Sequence, residues 1–403
     1  MNPSLQCREV KASWLLGLAF CLFAEAIGVA AQAKQACVPE KNFAQVGHLL
    51  EKQQYEDAKA LLRRLETCTS LSPIQRFNVG WLYGKAQDFP AALKIFESVS
   101  LDVPDELTHA YAIALVHFEQ GNYQAAISVL TALRSKGSCN DKCADLLGVA
   151  YSKIESYQDA YAVMAENLRQ NPSDPNAYYN LITLFADIGE LDKAAQIANK
   201  AVAALPQNAE AFSMRGFIEL SQAKEEDAYR DFASASQLSP TAPDPTFFMA
   251  LADYRQSKFA DAVQVIRNAV ASGIVDSDLH YLIAECLVRI DPMDSANVLA
   301  ELDRAIQLNP NSVSARVLRG QQLLQSGRPQ DAIADLTIAR ELEPSPKRDA
   351  RNATYLLGRA YAAAGKQDEA KLLFDQLNPH FSSDKAENLN RLGDRKMQAA
   401  LHR

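Results

Sequence analysis

The chain has 403 residues, 48% of them hydrophobic, and a formal net charge of −8. That length supports an extensive buried core, while the acidic balance and the lack of a basic face exclude the phosphate neutralisation on which nucleic-acid binding rests. No Gly-rich phosphate loop, Gly-x-Ser-x-Gly elbow or His-Glu-x-x-His pair occurs, so the sequence carries no signature of a catalytic, cofactor or metal site.

The first element is a leader. Arg8 and Lys11 precede an apolar stretch from Trp14 to Ala24, and small residues follow, ending in Ala31-Gln32-Ala33. This is the layout of a secretory signal peptide, so residues 1–33 are expected to direct export and to be cleaved after Ala33. The alternative is an uncleaved anchor, but Glu25 interrupts the run, and a spanning helix needs about 20 apolar residues. Either reading places the remaining chain in the periplasm or outside the cell. Neither Cys21, after Phe20, nor Cys37, after Lys34-Gln35-Ala36, sits in a lipoprotein cleavage box. Once the leader is removed, no stretch is long and apolar enough to cross a membrane. Arg8 and Lys11 cancel Glu9 and Glu25, so the acidic balance is unchanged.

From residue 34 to 382 the chain repeats. Ala58, Ala92, Ala126, Ala160, Ala194, Ala228, Ala262 and Ala296 stand at steps of 34 residues. Tyr55, Phe89, Tyr123, Tyr157, Leu191 and Phe259 keep the same period, as do the prolines at 104, 172, 206 and 240. Small residues recur at Gly80, Ala114, Gly148, Gly216 and Ala250, then at Gly320 and Gly358. A fixed period of this size marks a solenoid of stacked supersecondary units. Within one unit, Ile74, Phe77, Trp81, Leu82 and Tyr83 share helical spacing and predict a helix over Pro73 to Lys85. Gln87 and Asp88 break it. A second helix is expected from Pro90 to about Ser100, with proline at its first turn and Ala92, Ile95, Phe96 and Val99 on one face. Gly80 and Ala92 let the two helices approach, and Phe89 and Phe96 fill the space around them.

Antiparallel helices return the chain to its start, so Cys37, before the first hairpin, and Cys68, after it, are expected to meet in a disulfide. Cys139 and Cys143 flank Asn140-Asp141-Lys142 closely enough to pair if a local turn forms. Cys286 is left on an apolar face, where a buried thiol is ordinary. Cys-x-x-x-Cys is not a redox spacing, and His109 and His117 are read as packing or surface residues.

Gly80, Tyr83, Phe89, Ala92, Phe96 and Pro104 together resemble the tetratricopeptide repeat. The same pattern returns at Gly148, Tyr151, Tyr157, Ala160 and Pro172, and at Gly358, Tyr361, Gly365, Ala370 and Phe374. The resemblance covers ten units over roughly residues 40 to 382. It implies an all-α, right-handed superhelical solenoid of about ten repeats. Departures are local. The first unit is one residue short, and the eighth carries about two extra around Asp291 to Asp294. Pro344-Ser345-Pro346-Lys347 lengthens a link, and Arg215 and Glu219 stand where the sixth unit should be apolar, which predicts looser packing there.

In this family the first helices of successive units line a concave groove. The resemblance therefore implies a peptide-binding surface made by Phe77, Trp81, Tyr111, Phe118, Tyr179, Phe217, Phe247, Tyr254, Tyr281 and Tyr355. Charges on that face are mixed, with Asp145, Glu119 and Glu285 against Lys153, Arg255, Arg289 and Arg359. The two-lysine, two-asparagine clamp by which some relatives grip a terminal carboxylate is matched only by Asn78 and Asn180, which argues against that ligand. The last element, 383–403, begins with the capping pair Ser383-Asp384. It carries Leu389, Leu392 and Met397 beside Lys385, Arg391, Asp394, Arg395 and Lys396, which predicts a helix capping the array; a partner-binding helix is the alternative. A non-catalytic scaffold for a protein or peptide partner is the expected function, with a structural self-associating component of an envelope assembly as the rival.

Overall fold

The structure, a computed structural model, describes residues 39–99, 105–342 and 348–377, together with Met397. The leader at 1–33, Cys37, Pro104, the link at 344–347 and, Met397 apart, the expected cap at 383–403 lie outside the described residues. Among the described residues there are twenty helices and no strand, paired in chain order into ten hairpins. The first five are α1 (Pro39–Glu51) and α2 (Tyr55–Glu66), α3 (Pro73–Lys85) and α4 (Phe89–Ser98), α5 (Glu106–Glu119) and α6 (Tyr123–Ser135), α7 (Asp141–Lys153) and α8 (Tyr157–Gln170), α9 (Pro175–Asp187) and α10 (Leu191–Ala204). The other five are α11 (Ala209–Ser221) and α12 (Glu225–Leu238), α13 (Pro243–Arg255) and α14 (Phe259–Ala271), α15 (Ser277–Ile290) and α16 (Ser295–Leu308), α17 (Val313–Gln325) and α18 (Pro329–Leu342), α19 (Arg348–Ala363) and α20 (Gln367–Asp375). The chain forms two compact units, one ending at Leu184 and the other beginning at Phe185. Each is an all-α stack of hairpins, as the period of the sequence predicts.

Both helices of a hairpin follow from local chemistry. Ser72 caps α3 by accepting from the Gln75 amide while Gln75 accepts from the Ser72 amide, a reciprocal capping box that satisfies two otherwise unpaired donors. Asp88 caps α4 by accepting from the Ala91 amide, and Pro90 sits in its first turn, where its missing N–H costs nothing. The bulky residues of the sequence ladder, from Tyr55 to Phe259, each open a second helix.

The helices of a hairpin approach because large side chains meet small ones. A Cβ on Gly80 would fall 2.8 Å from Phe96 Cε1, one on Gly216 2.8 Å from Phe232 Cζ, and one on Gly320 2.6 Å from Leu336 Cγ. Phe96 therefore fills the space that Gly80 leaves, rather than standing beside it. The alanine ladder is buried from Ala58 through Ala262, as expected for packing residues. Ala296 is a correction, because it is exposed and the buried side chain in that register is Val298. The two extra residues between α15 and α16 advance the register, so the eighth alanine of the ladder matches in number only.

The sixth hairpin is fastened by an ion pair where an apolar contact was expected. Arg215 Nε and Nη2 donate to the two carboxylate oxygens of Asp231 at 2.6 and 2.7 Å. The ninth hairpin repeats the device, with Arg319 donating twice to Asp335 at 2.6 Å and Arg316 Nη1 adding a bond at 3.0 Å. Both aspartates are buried, and such two-pronged pairing satisfies them without water. The sequence signal is an arginine followed sixteen residues later by an aspartate, in the register that elsewhere is apolar.

The turn joining the two helices of a hairpin has its own ladder. Gln53, Gln87, Gly121, Glu155, Gly189, Ala223 and Ser257 all have φ between 55° and 79°, at steps of 34 residues. The next amide closes the turn by reaching back over the last helical turn, as in Asp88 to Tyr83 O at 2.9 Å and Lys224 to Glu219 O at 2.8 Å. A non-glycine residue in this conformation costs about 1–2 kcal/mol. Ala223, at φ 55°, has no side-chain polar group to offset that strain. Replacing Ala223 with glycine should stabilise the protein by about 0.5–1 kcal/mol after allowing for glycine's greater unfolded-chain entropy. Urea denaturation read by circular dichroism measures this. A lower midpoint for the variant would show that the turn is unstrained.

Candidate binding face

The expected groove residues divide into those that remain accessible and those consumed by packing. In the unit ending at Leu184, Trp81 and Tyr111 come from the first helices α3 and α5 and are only half-buried. Phe77 is buried: its ring lies 5.0 Å from Phe96 and 6.3 Å from both Trp81 and His109. Phe118 is buried edge-on to Tyr123 at 5.2 Å, and Tyr179 is buried as well. His109 is a packing residue, with Nε2 hydrogen-bonded to the Phe96 carbonyl at 2.6 Å.

In the unit beginning at Phe185, Phe217 is buried in a cluster with Phe232 and Phe248, at 5.3 and 4.7 Å. Phe247 and Tyr281 are wholly buried. Tyr281 donates its hydroxyl hydrogen bond to Glu285 at 2.7 Å. Tyr254 is buried edge-on to Phe259 at 5.2 Å and carries the Arg289 guanidinium over its ring at 5.9 Å. Tyr355 stays half-buried, with Arg359 over its ring at 6.0 Å. Trp81, Tyr111 and Tyr355 are thus the members of the predicted set with surface to offer a partner.

A polar cluster whose members the sequence named only separately, or in the case of Asn167 not at all, lies next to Tyr111. Asp145 of α7 accepts from Asn167 Nδ2 at 2.9 Å and from Asn180 Nδ2 at 2.8 Å. Asn180, considered for a carboxylate clamp, is thus engaged with a carboxylate of this chain. Burial and the nearby Asp174 push Asp145 up to about 6, outweighing the two amide bonds. Burial and the Asp145 charge push the Tyr111 hydroxyl up to about 12. The signal in the sequence was Asp145 in the register of Tyr111 and Phe247, but its partner Asn167 sits on the second helix, beyond the reach of a single-helix pattern.

The remaining predicted residues are accounted for. Cys139 and Cys143 lie 5.3 Å apart at Cα with their sulfurs joined. The turn they need is the start of α7, where Asn140 accepts from the Cys143 amide at 3.1 Å. Cys68 is also disulfide-bonded. Cys286 is a buried free thiol, pushed up to about 12 by burial and by Glu285. Among the described residues no group of side chains is arranged to hold a metal ion, and no helix is long and apolar enough to cross a membrane.

Comparison with family profiles gives the same repeat. Tetratricopeptide-repeat family profiles match residues 146–209, 299–346 and 317–377, and the profile of anaphase-promoting complex, cyclosome, subunit 3 matches residues 85–167. Similar solved structures include a tetratricopeptide repeat protein from Parabacteroides merdae, 15% identical with a TM-score of 0.45, covering 66% of this chain and 98% of that one. Yeast Tom70 is 17% identical with a TM-score of 0.38, covering 90% and 95%. The C-terminal part of a repeat-containing protein from Cytophaga hutchinsonii is 14% identical with a TM-score of 0.45, covering 60% and 98%. No curated protein matches this chain in sequence.

The Asp145 cluster makes a prediction about pH. A carboxyl whose folded value lies above its ordinary value favours the fold when neutral. Its contribution is complete below about pH 4 and is lost as pH rises through about 6. Asp145→Asn keeps an oxygen to accept from both asparagines and removes the buried charge. The variant should match wild type near pH 4 and gain about 1–2 kcal/mol over it by pH 7.5, a range discounted for the partial exposure of the site. Thermal melts across this range check it; a constant difference between the proteins would refute the assignment.

Proposed function

Because the chain is a tetratricopeptide-repeat protein, and this fold supports protein interaction, we propose that it is a non-catalytic scaffold that captures a peptide or protein partner outside the cytoplasm. The observation that carries the binding reading is the pair Trp81 and Tyr111. These large aromatic side chains come from consecutive first helices and stay half-open while Phe77 and Phe118 beside them are buried. Tryptophan and tyrosine dominate binding hot spots because each gives a large apolar contact at small entropic cost. The two residues are suited to clasping an apolar side chain of an extended or helical peptide.

Export is supported by the layout of residues 1–33 and by the placement of Cys139 and Cys143, since disulfides persist in oxidising compartments. On this reading the protein works in the periplasm or the extracellular space. Expression with its own leader in a secreting host should yield exported protein beginning at Lys34. Peptide mapping without reductant should find Cys37 linked to Cys68 and Cys139 to Cys143. Export with the leader retained would favour the anchored form, whereas cytoplasmic protein with all these thiols free would overturn the assignment.

Binding is tested by crosslinking in the native compartment, comparing wild type with Trp81→Ala and Tyr111→Ala. Truncating a hot-spot residue costs 2 kcal/mol or more, about thirtyfold in affinity. Each variant should stay folded by circular dichroism and capture the same partner at least about tenfold less efficiently. Undiminished capture would remove this face from consideration, and concentration-dependent oligomers of the pure protein would then favour the self-associating role.

A further inference from the structure

In the unit beginning at Phe185, two first helices are buried on every side. In α13, residues 245–248 and 250–254 are all buried, and in α15 Ser277, Leu279 and the whole run 281–286 are buried. The contrast with α7 is direct. Asp145, Val149 and Ser152 occupy the outward register of α7 and stay half-open, while Phe247, Leu251 and Tyr254 hold the same register in α13 at 0%, 0% and 8% exposure. The main described neighbours of α13 are α12, α14 and α15, which cover its back and flanks. A helix buried all round requires a cover on its remaining face.

Met397, the described residue of the C-terminal segment, lies against this unit. Its sulfur lies 3.7 Å from the Ser221 hydroxyl, at the end of α11 and on the face that continues into α13. The contact joins residues 176 apart in sequence. The segment around it has the right chemistry. Leu389, Leu392, Met397 and Leu401 recur at helical spacing, and residues 378–403 carry five basic against three acidic side chains. The first turns of α11, α13 and α15 carry the opposite charge, in Glu210, Asp244 and Asp278. The cations of that face are engaged internally, with Arg255 donating to the Leu220 carbonyl at 3.2 Å and Arg289 stacked on Tyr254. Reach is sufficient. Helices pack at 8–10 Å, so four hairpins span roughly 40 Å, and the link from Leu377 to Met397 covers ~30 Å as a helix and ~70 Å extended.

We propose that the outward face of α11, α13 and α15 is a docking groove for a basic amphipathic helix, and that its resident occupant is the chain's own segment 378–403. The segment is a tethered competitor. An external partner with the same pattern of apolar and basic residues gains this face only by displacing it. The inference rests on the reading of first-helix faces as peptide-binding surfaces, but its test needs no external partner.

Two experiments on the full chain decide it. In the first, cysteines are placed as Ser221→Cys with Met397→Cys, and separately as Lys366→Cys with Met397→Cys. Mild oxidation should close the first pair at least about tenfold faster than the second. Preferential closure of the second would place the segment on the tenth hairpin as a simple cap and overturn the proposal. In the second, Leu392→Asp combined with Met397→Asp should release the segment. Hydrogen exchange in α13 and α15 should then accelerate at least about tenfold while α3 and α5 are unchanged, and a labelled peptide of residues 383–403 should bind the variant at least about tenfold more tightly than wild type. Unchanged exchange without peptide binding overturns the proposal. Both readouts are independent of Trp81 and Tyr111, so failure here leaves partner capture by that pair standing, and failure there leaves this groove standing.

Discussion

Five of the hairpins depend on one close approach: a glycine on the first helix, Gly80, Gly148, Gly216, Gly320 or Gly358, receives a large side chain from the second. Gly80 with Phe96, Gly148 with Met164 and Gly216 with Phe232 are the same contact with different shapes filling it. Because interiors are packed to near-crystalline density, this contact fixes the depth at which the two helices meet and so which residues face outward. Trp81, which follows Gly80 in α3, stays half-buried. The rigidity of the contact varies along the chain. Phe232 is held by rings on two sides, Phe217 at 5.3 Å and Phe248 at 5.2 Å, whereas Met164 is an unbranched chain able to adjust.

The fold was legible in the sequence because a solenoid repeats its physics. The same packing pattern recurs along the chain, and a period of 34 residues survives the loss of any one ladder residue. Ala296 shows the limit of that reading. It sits at the correct numerical interval, but the inserted residues before α16 turned it to the surface and gave its place to Val298. Arg215 shows another limit. Read on its own helix it is a misplaced charge, and only the carboxylate sixteen residues later explains it.

The binding face was harder to read, for a physical reason. Helical register determines which side of a first helix a residue occupies, but not whether that side is open. Trp81 and Phe247 both belong to the predicted set, and one is half-open while the other is wholly buried. Accessibility depends on what lies across the face, and that information is stored elsewhere in the chain. Polar residues add the same ambiguity, since Asp145 is intelligible only once Asn167 of the second helix and Asn180 of the next hairpin are placed beside it.

The turn between α15 and α16 bears on how such a chain changes length. Asp294 caps α16 by accepting from the Asn297 amide, so the helix restarts cleanly after the added residues, and Val298 and Leu302 still reach the core. An insertion out of step with the period is thus confined to one surface turn, and the hairpins beyond it keep their own internal spacing. Gene duplication or unequal recombination can therefore add or remove whole hairpins in frame without rebuilding a shared centre, because in a linear stack the hairpins pack chiefly against their neighbours. The number of repeats becomes an evolutionary variable separate from the stability of any one of them.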